Sequence, residues 1–272
     1  MTDELIDSES ESNELGNERG IGPVRSLIRG LRILDCFSID HDEWTMSEIA
    51  RATGLHKATT HRLLRTLEAA GYLAINKATG KYKLGPALLR IAYLANSNSE
   101  LVKTAYPYMQ KLSTETGETV DLAVWIGQGA LFIAQVLTPM PFKPVTQVGR
   151  VIPGFANAHG KIYLAYMTEE EQRKVLSGPL PAITPYTVTD PAQVAAELER
   201  IRNDGVAYSY NEQTVGICAV AVPIRDSSGN IRATLSVVAP TTNFVPEKVS
   251  RYTKALKEAA AKISSELGFR EA

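Results

Sequence analysis

The sequence predicts an α+β chain: an N-terminal winged helix-turn-helix followed by a larger C-terminal domain built on an antiparallel sheet. Three observations carry that prediction. Between Thr45 and Leu73 two short helical stretches flank a turn at Gly54, and a hairpin pattern follows. Beyond Thr119, strands and helices mix without the strict alternation that a parallel sheet requires. The chain has 272 residues and 44% hydrophobic content, which suits two compact domains or one large one.

Residues 1–20 hold seven Asp/Glu and one Arg, with too little apolar surface to order themselves, so a disordered acidic tail is expected there. That stretch lacks the apolar centre of a secretory signal. No run of about 18 apolar residues predicts a membrane span, so the expected location is cytoplasmic. Residues 21–85 are assigned to the winged helix-turn-helix, 86–98 to a linker helix and 99–272 to the second domain.

From Pro23 to Phe37, Leu27, Leu31 and Leu34 share one helix face beside Ile28, with Ser26 as a candidate cap. IDHDEW reads as a loop. A helix is expected from Ser47, acting as its cap, to Gly54, with Ile49 and Ala50 turned inward. A second helix runs from about Lys57 to Ala70 on a stripe of Leu63, Leu64 and Leu67, and Gly71 stops it. YLAINKATGKYKLG is a hairpin, and the apolar helix PALLRIAYLANS is expected to pair with its copy in a dimer.

Residues 99–116 read as a helix, and TVDLAVWI and ALFIAQVL as a hairpin of alternating apolar residues. ANAHGKIYLAYM, TEEEQRKVLSG and residues 190–204 read as helices, and GVAYSY, GICAVAVPIRD and NIRATLSVVAP as strands. A final helix covers about 246–267.

Charge divides along the chain in a way the net value of −1 conceals. Residues 1–20 carry −6, residues 21–95 carry +5 and the remainder is neutral. The basic segment is the one with the helix-turn-helix pattern. Its second helix crowds Lys57, Thr59, Thr60, His61, Arg62 and Arg65 into the first turns, opposite the leucine stripe. In such a motif the start of the second helix faces base edges in the major groove, where Thr and Arg read bases or hold phosphate. Lys81 and Lys83, with Lys77, suit a wing that grips phosphate, and Arg25 and Ser26, with Arg29, are candidates on the first helix. Double-stranded DNA is therefore the expected partner.

The second domain shows no catalytic constellation: GxSxG, P-loop, HExxH and Rossmann glycine patterns are absent. His159 is its sole histidine, and Ser236 and Cys218 read as core or pocket residues rather than nucleophiles. Trp125, Phe132, Phe142, Phe155 and Tyr163 read as core aromatics, some of them able to line an apolar cavity. Cys36 and Cys218 lie in different predicted domains, so neither a structural disulfide nor a cysteine metal site is expected. No catalytic residue, metal or cofactor is assigned.

From about Pro23 to Ala239 the chain resembles the isocitrate lyase regulator (IclR) family. The resemblance rests on the order of SLIRGLRILDCF, TTHRLLRTLEAAGYL, YKLGPALLRIA, AHGKIYLA, ERIRNDGVAYSYNE and VPIRD–SGNIRATLSV. It implies a GAF-like effector domain, dimers or tetramers on palindromic operators, and repression or activation tuned by an organic or aromatic acid. It also implies control of a neighbouring catabolic operon. Carried over residue by residue, the effector pocket falls on Asn157, Ala158, His159, Ser209, Ala219, Ser236 and Val238. The chain departs from the family with Ser209 in place of an acidic residue, Ala219 near a frequent Cys, and Val238 in place of a small polar residue. These departures lead to the expectation of a larger or more apolar effector than a two-carbon acid, its carboxylate received by the helix start at 157–159.

Overall fold

The computed structural model describes residues 22–97, 99–127, 129–141, 144 and 148–270. The expected acidic tail and Phe142 lie outside these residues. The chain divides into two compact units between Ala95 and Asn96.

The first unit contains α1 (Arg25–Leu34), α2 (Met46–Thr53), α3 (Lys57–Ala69), β1 (Leu73–Ile75), β2 (Tyr82–Leu84) and α4 (Pro86–Ser97). The α2–α3 turn is possible because Gly54 adopts φ +67°, where a side chain is strained, and sends the chain back through Leu55 into α3. Ile33, Ile49, Leu64, Leu73 and Tyr82 form the core, with Trp44 packed beside them. β1 and β2 pair antiparallel, Leu73 opposite Leu84. Trp44, expected in a loop, adds a bridge to Tyr82 with backbone bonds of 2.9 and 2.8 Å.

Three local expectations are corrected here. The cap of α2 is Thr45 rather than Ser47: Thr45 is extended, accepts from the Glu48 amide, and receives the Glu48 carboxylate on its own N–H at 2.7 Å. A reciprocal capping box of this kind satisfies two orphan donors that Ser47, already inside the first turn, cannot reach. Ser26 does not cap α1; Val24 occupies that position without a side-chain bond. Finally, Gly30 and Ile33 are the inward residues of α1, while Leu27 and Leu31 are 61% and 51% exposed.

The second unit contains α5 (Glu100–Thr116), β3 (Thr119–Ile126), β4 (Gly129–Val136), β5 (Val151–Pro153), α6 (Ala158–Tyr166), α7 (Glu169–Leu176), α8 (Pro191–Asp204), β6 (Ala207–Tyr210), β7 (Ile217–Arg225), β8 (Ile231–Pro240) and α9 (Pro246–Glu266). The six strands form one antiparallel sheet in the order β5-β4-β3-β8-β7-β6. Val120, Val237 and Val220 stand in one cross-strand row and pack with Met109 of α5 and Leu256 of α9. The next row, Asp121, Ser236 and Ala221, faces the opposite side, where Ala221 packs with α6 and α8. Helices on both faces explain why β3 is not the alternating strand expected: Thr119 through Ala123 are all buried. The short edge strand β5 was not anticipated.

α6 is enclosed on all sides, with every residue from Ala158 to Ala165 buried. This requires Gly160, because a Cβ there would stand 2.3 Å from the Gly154 Cα. Gly160→Ala should therefore destabilise the second unit by about 1–3 kcal/mol or more, whereas Gly178→Ala, with open space around its Cβ, should be neutral in urea denaturation. Equal stability of the two variants would contradict the close packing of α6.

Candidate functional site

In the first unit the geometry sorts the predicted face of α3. Lys57, His61, Arg62 and Arg65 are exposed along one side, and Thr59 is partly exposed at its margin. Thr60 is the exception: it is fully buried, and its hydroxyl donates to the His56 carbonyl at 3.1 Å. Placing it among the DNA contacts is corrected by helical spacing, which sets Thr60 one turn before Leu64 on the core side. His56 and Ala58, passed over in the sequence, are exposed at the start of the same helix. His56 occupies the N-cap without a capping bond, so its ring is not committed there.

Arg25 and Ser26 are exposed at the start of α1. On the hairpin Lys77 and Lys83 are exposed and Lys81 is partly so. The turn between β1 and β2 is tied down by Glu43, which accepts from Asn76 at 2.5 Å and Thr79 at 2.9 Å. Those two bonds, and then the nearby Lys83 and Lys81, hold the Glu43 carboxyl below its ordinary pKa. The wing thus carries its lysines on a braced turn.

In the second unit, six of the seven expected effector residues line one cavity of about 90 Å³: Asn157, Ala158, His159, Ser209, Ala219 and Val238. Cross-strand pairing explains the convergence, since Ser209, Ala219 and Val238 are register neighbours on β6, β7 and β8. Ser236 does not line the cavity. It lies on the same sheet face two residues before Val238, fully buried between Asp121 and Ala221, and its hydroxyl has no hydrogen-bond partner among the described residues.

Sequence reasoning missed the most polar part of the wall: Asp121, Arg150, Gln213 and Thr214. Arg150 arrives because the backbone at 149–150 bonds to Phe132 on β4, a tertiary event with no local motif. Gln213 and Thr214 arrive on the loop between β6 and β7. Asn211 opens that loop at φ +62°, a conformation Asn tolerates, and its side chain accepts from the Gly216 amide at 2.7 Å. The loop is anchored by Glu212, whose carboxylate receives the buried Lys161 ammonium at 2.7 Å, while Lys161 also donates to Glu197 at 2.9 Å. Burial pushes the Glu212 pKa up, against the pull of Lys161.

The expected polarity of the wall is therefore revised: it is richer in polar groups than Ala219 and Val238 suggested. The helix start is also partly committed, since Asn157 already accepts from the Gly160 amide at 2.8 Å. The His159 ring is fixed by a 2.7 Å contact between Nδ1 and the Thr234 hydroxyl and stands edge-on to Phe132. A larger open groove of about 760 Å³ beside Tyr208, Tyr210 and α9 contains none of the expected effector residues.

Two family profiles match this chain. Residues 26–75 match the IclR helix-turn-helix domain, and residues 93–265 match the bacterial transcriptional regulator IclR C-terminal domain. The chain belongs to the IclR family. It is a DNA-binding transcriptional regulator of that family, and its relatives are regulators rather than enzymes. One relative, the HTH-type transcriptional regulator Rv1719 of Mycobacterium tuberculosis, is 35% identical over 82% of this chain and 85% of its own length. An IclR regulator from Silicibacter sp. TM1040 superposes with a TM-score of 0.84 at 28% identity, covering 91% of this chain and 98% of that one. An IclR homologue from Microbacterium hydrocarbonoxydans, solved with 4-hydroxybenzoate, gives a TM-score of 0.72 at 30% identity over 89% and 98% of the two chains. Among the described residues of this IclR-family chain, no group of three or more His, Cys, Asp or Glu is placed to hold a metal ion. Likewise, none of the described helices is long and apolar enough to cross a membrane.

Burial lowers the His159 pKa to about 3, opposed weakly by a backbone bond to Thr234. The unfolded imidazole takes a proton below about 6.5 and the folded one refuses it until about 3, so this group's stabilising contribution is present above pH 6.5 and lost as pH falls through that window. Between pH 7.5 and 5.5 the wild type should lose about 1.4 kcal/mol more in urea denaturation than His159→Gln. Equal losses would show that the ring is not buried neutral.

Proposed function

We propose that this IclR-family regulator binds operator DNA as a homodimer or homotetramer and changes its operator affinity when the cavity at the start of α6 takes up a small organic acid. The division of labour follows the expected segments: residues 21–85 for DNA, 86–98 as linker and 99–272 for effector and assembly. The convergence of Asn157, Ala158, His159, Ser209, Ala219 and Val238 on one enclosed cavity carries the effector half of this reading. Arg150 supplies a cationic group for a carboxylate, and Phe132, Ile217 and Val238 supply apolar wall. A cavity of about 90 Å³ suits a compact acid rather than a bulky one. The Microbacterium homologue solved with 4-hydroxybenzoate supports a small organic acid as the class of ligand. Binding alters operator affinity only through a difference in affinity between the two arrangements of the oligomer. Such a regulator works where the chromosome is, in the cytoplasm.

For DNA the supporting face is Lys57, His61, Arg62 and Arg65, flanked by Lys81 and Lys83 on the wing. Arg62→Ala should cost about 1–3 kcal/mol and relax preference at one operator position, as loss of a base-reading guanidinium does. Lys83→Ala should weaken all sequences alike and flatten the salt dependence. Operator titrations in which both folded variants match wild type would remove α3 and the wing from the interface.

Assembly draws on α4, where Leu89 is 75% and Tyr93 71% exposed. Burying that surface against a second copy would bring two recognition helices about one DNA turn apart, ~34 Å. Light scattering should report a dimer or tetramer at micromolar concentration. A monomer that binds a half-site would contradict the assembly.

A further inference from the structure

The way the first unit folds leaves its basic side without a counter-charge. Lys57, Arg62 and Arg65 on α3 are exposed, and so are Lys77 and Lys83 on the wing. None of them forms an ion pair with a described residue. Glu43 and Glu48 are the carboxylates close enough to feel the wing lysines, and both are committed inside the unit. Glu43 accepts from Asn76 and Thr79, and Glu48 closes the cap of α2 with Thr45. The opposite charge lies just ahead of α1 in the chain. Residues 1–20 hold seven Asp/Glu against Arg19 alone, a net −6, while residues 21–95 carry +5. The two stretches nearly cancel.

Only Ile21 to Val24 separate the acidic stretch from α1, and α1 packs on α3 with Ile33 and Leu64 in one core. Twenty residues span up to about 65–70 Å when extended. The 13-residue helix α3 is roughly 20 Å long, so the acidic stretch has the reach to meet every cation along it. A segment tethered this closely acts at an effective concentration of about millimolar, at which even a weak contact is populated.

We propose that residues 1–20 lie against the basic side of α3 and the wing in the absence of DNA, and that the phosphate backbone displaces them. The acidic stretch is then a built-in competitor for DNA. This rests on the reading of α3 and the wing as the DNA face and adds a means of regulating it. Each phosphate contact replaces a carboxylate contact, so the affinity for every duplex is lowered, whatever its sequence. Salt screens the carboxylates as well, so the competition is strongest at low ionic strength.

The test compares the full chain with a variant carrying D3N, E4Q, D7N, E9Q, E11Q, E14Q and E18Q, which keeps the length and removes the acidic charge. Both are titrated with a short duplex of arbitrary sequence. At low salt the variant should bind about tenfold tighter than wild type, and its affinity should fall more steeply as salt rises. A second measurement separates a seated segment from plain repulsion of DNA. A carbodiimide joins a carboxylate only to an amine in contact with it, and mass spectrometry then locates the link. Links from residues 1–20 to Lys57, Lys81 or Lys83 of the same chain are expected, and duplex DNA should suppress them. Equal affinity and equal salt dependence of the two proteins would overturn the proposal while leaving the DNA face in place. Tighter binding by the variant without such links, or with links only to lysines of residues 99–270, would overturn it too. If neither protein binds the duplex, the reading of α3 and the wing falls with it.

Discussion

The enclosure of α6 is the constraint on which the second unit depends. A helix with every residue from Ala158 to Ala165 buried must satisfy its polar groups inside the protein, and each answer to that demand builds a piece of the site. Asn157 caps its start, His159 bonds to β8, and Lys161 spans Glu197, Glu212 and the Tyr208 carbonyl. The ion pair from Lys161 is what anchors the loop bearing Gln213 and Thr214. Removing one partner from such a buried pair generally costs about 3–5 kcal/mol, because the other charge is left unpaired. The cavity wall and the stability of α6 are therefore one problem, solved by the same side chains.

The first unit meets the opposite demand. Its function needs a helix side with nothing packed on it, and the small core of Ile33, Ile49, Leu64, Leu73 and Tyr82 leaves that side of α3 bare. The burial of Thr60 marks the boundary: one turn of helix separates core from exposed surface. The braced wing shows the same economy. Glu43 uses its carboxylate on Asn76 and Thr79, which fixes the turn and leaves Lys77 and Lys83 exposed.

A neutral histidine beside Arg150 and the buried Asp121 makes the cavity polar. Specificity in such a site comes from matching donors to acceptors rather than from charge attraction, since any small acid can meet an arginine. The apolar residues Phe132, Ile217 and Val238 then limit size and shape.

Much of this architecture is local in origin and was legible in the chain. Periodicity and turn residues placed every α-helix of the described chain within a few positions, and glycine at 54 and 71 marked the ends of α2 and α3. The basic face of α3 followed from residue type and spacing. Local signals failed where two residues competed for one role, as with Thr45 and Ser47, because only the extended backbone at Thr45 lets a side chain return to the helix. They failed again where helical rotation decides burial, as at Thr60 and at Leu27 and Leu31. Resemblance placed Ser209, Ala219 and Val238 together, yet it missed Arg150, Asp121, Gln213 and Thr214 and overreached at Ser236. The sequence by itself determined the α-helices and most of the exposed basic side of α3, since those depend on neighbours within a turn or two of chain. The cavity was assembled by tertiary structure: its wall comes from β3, β4, β6, β7, β8, the 149–150 segment, the start of α6 and the loop after β6, and only the folding of the sheet around α6 sets those distant residues side by side.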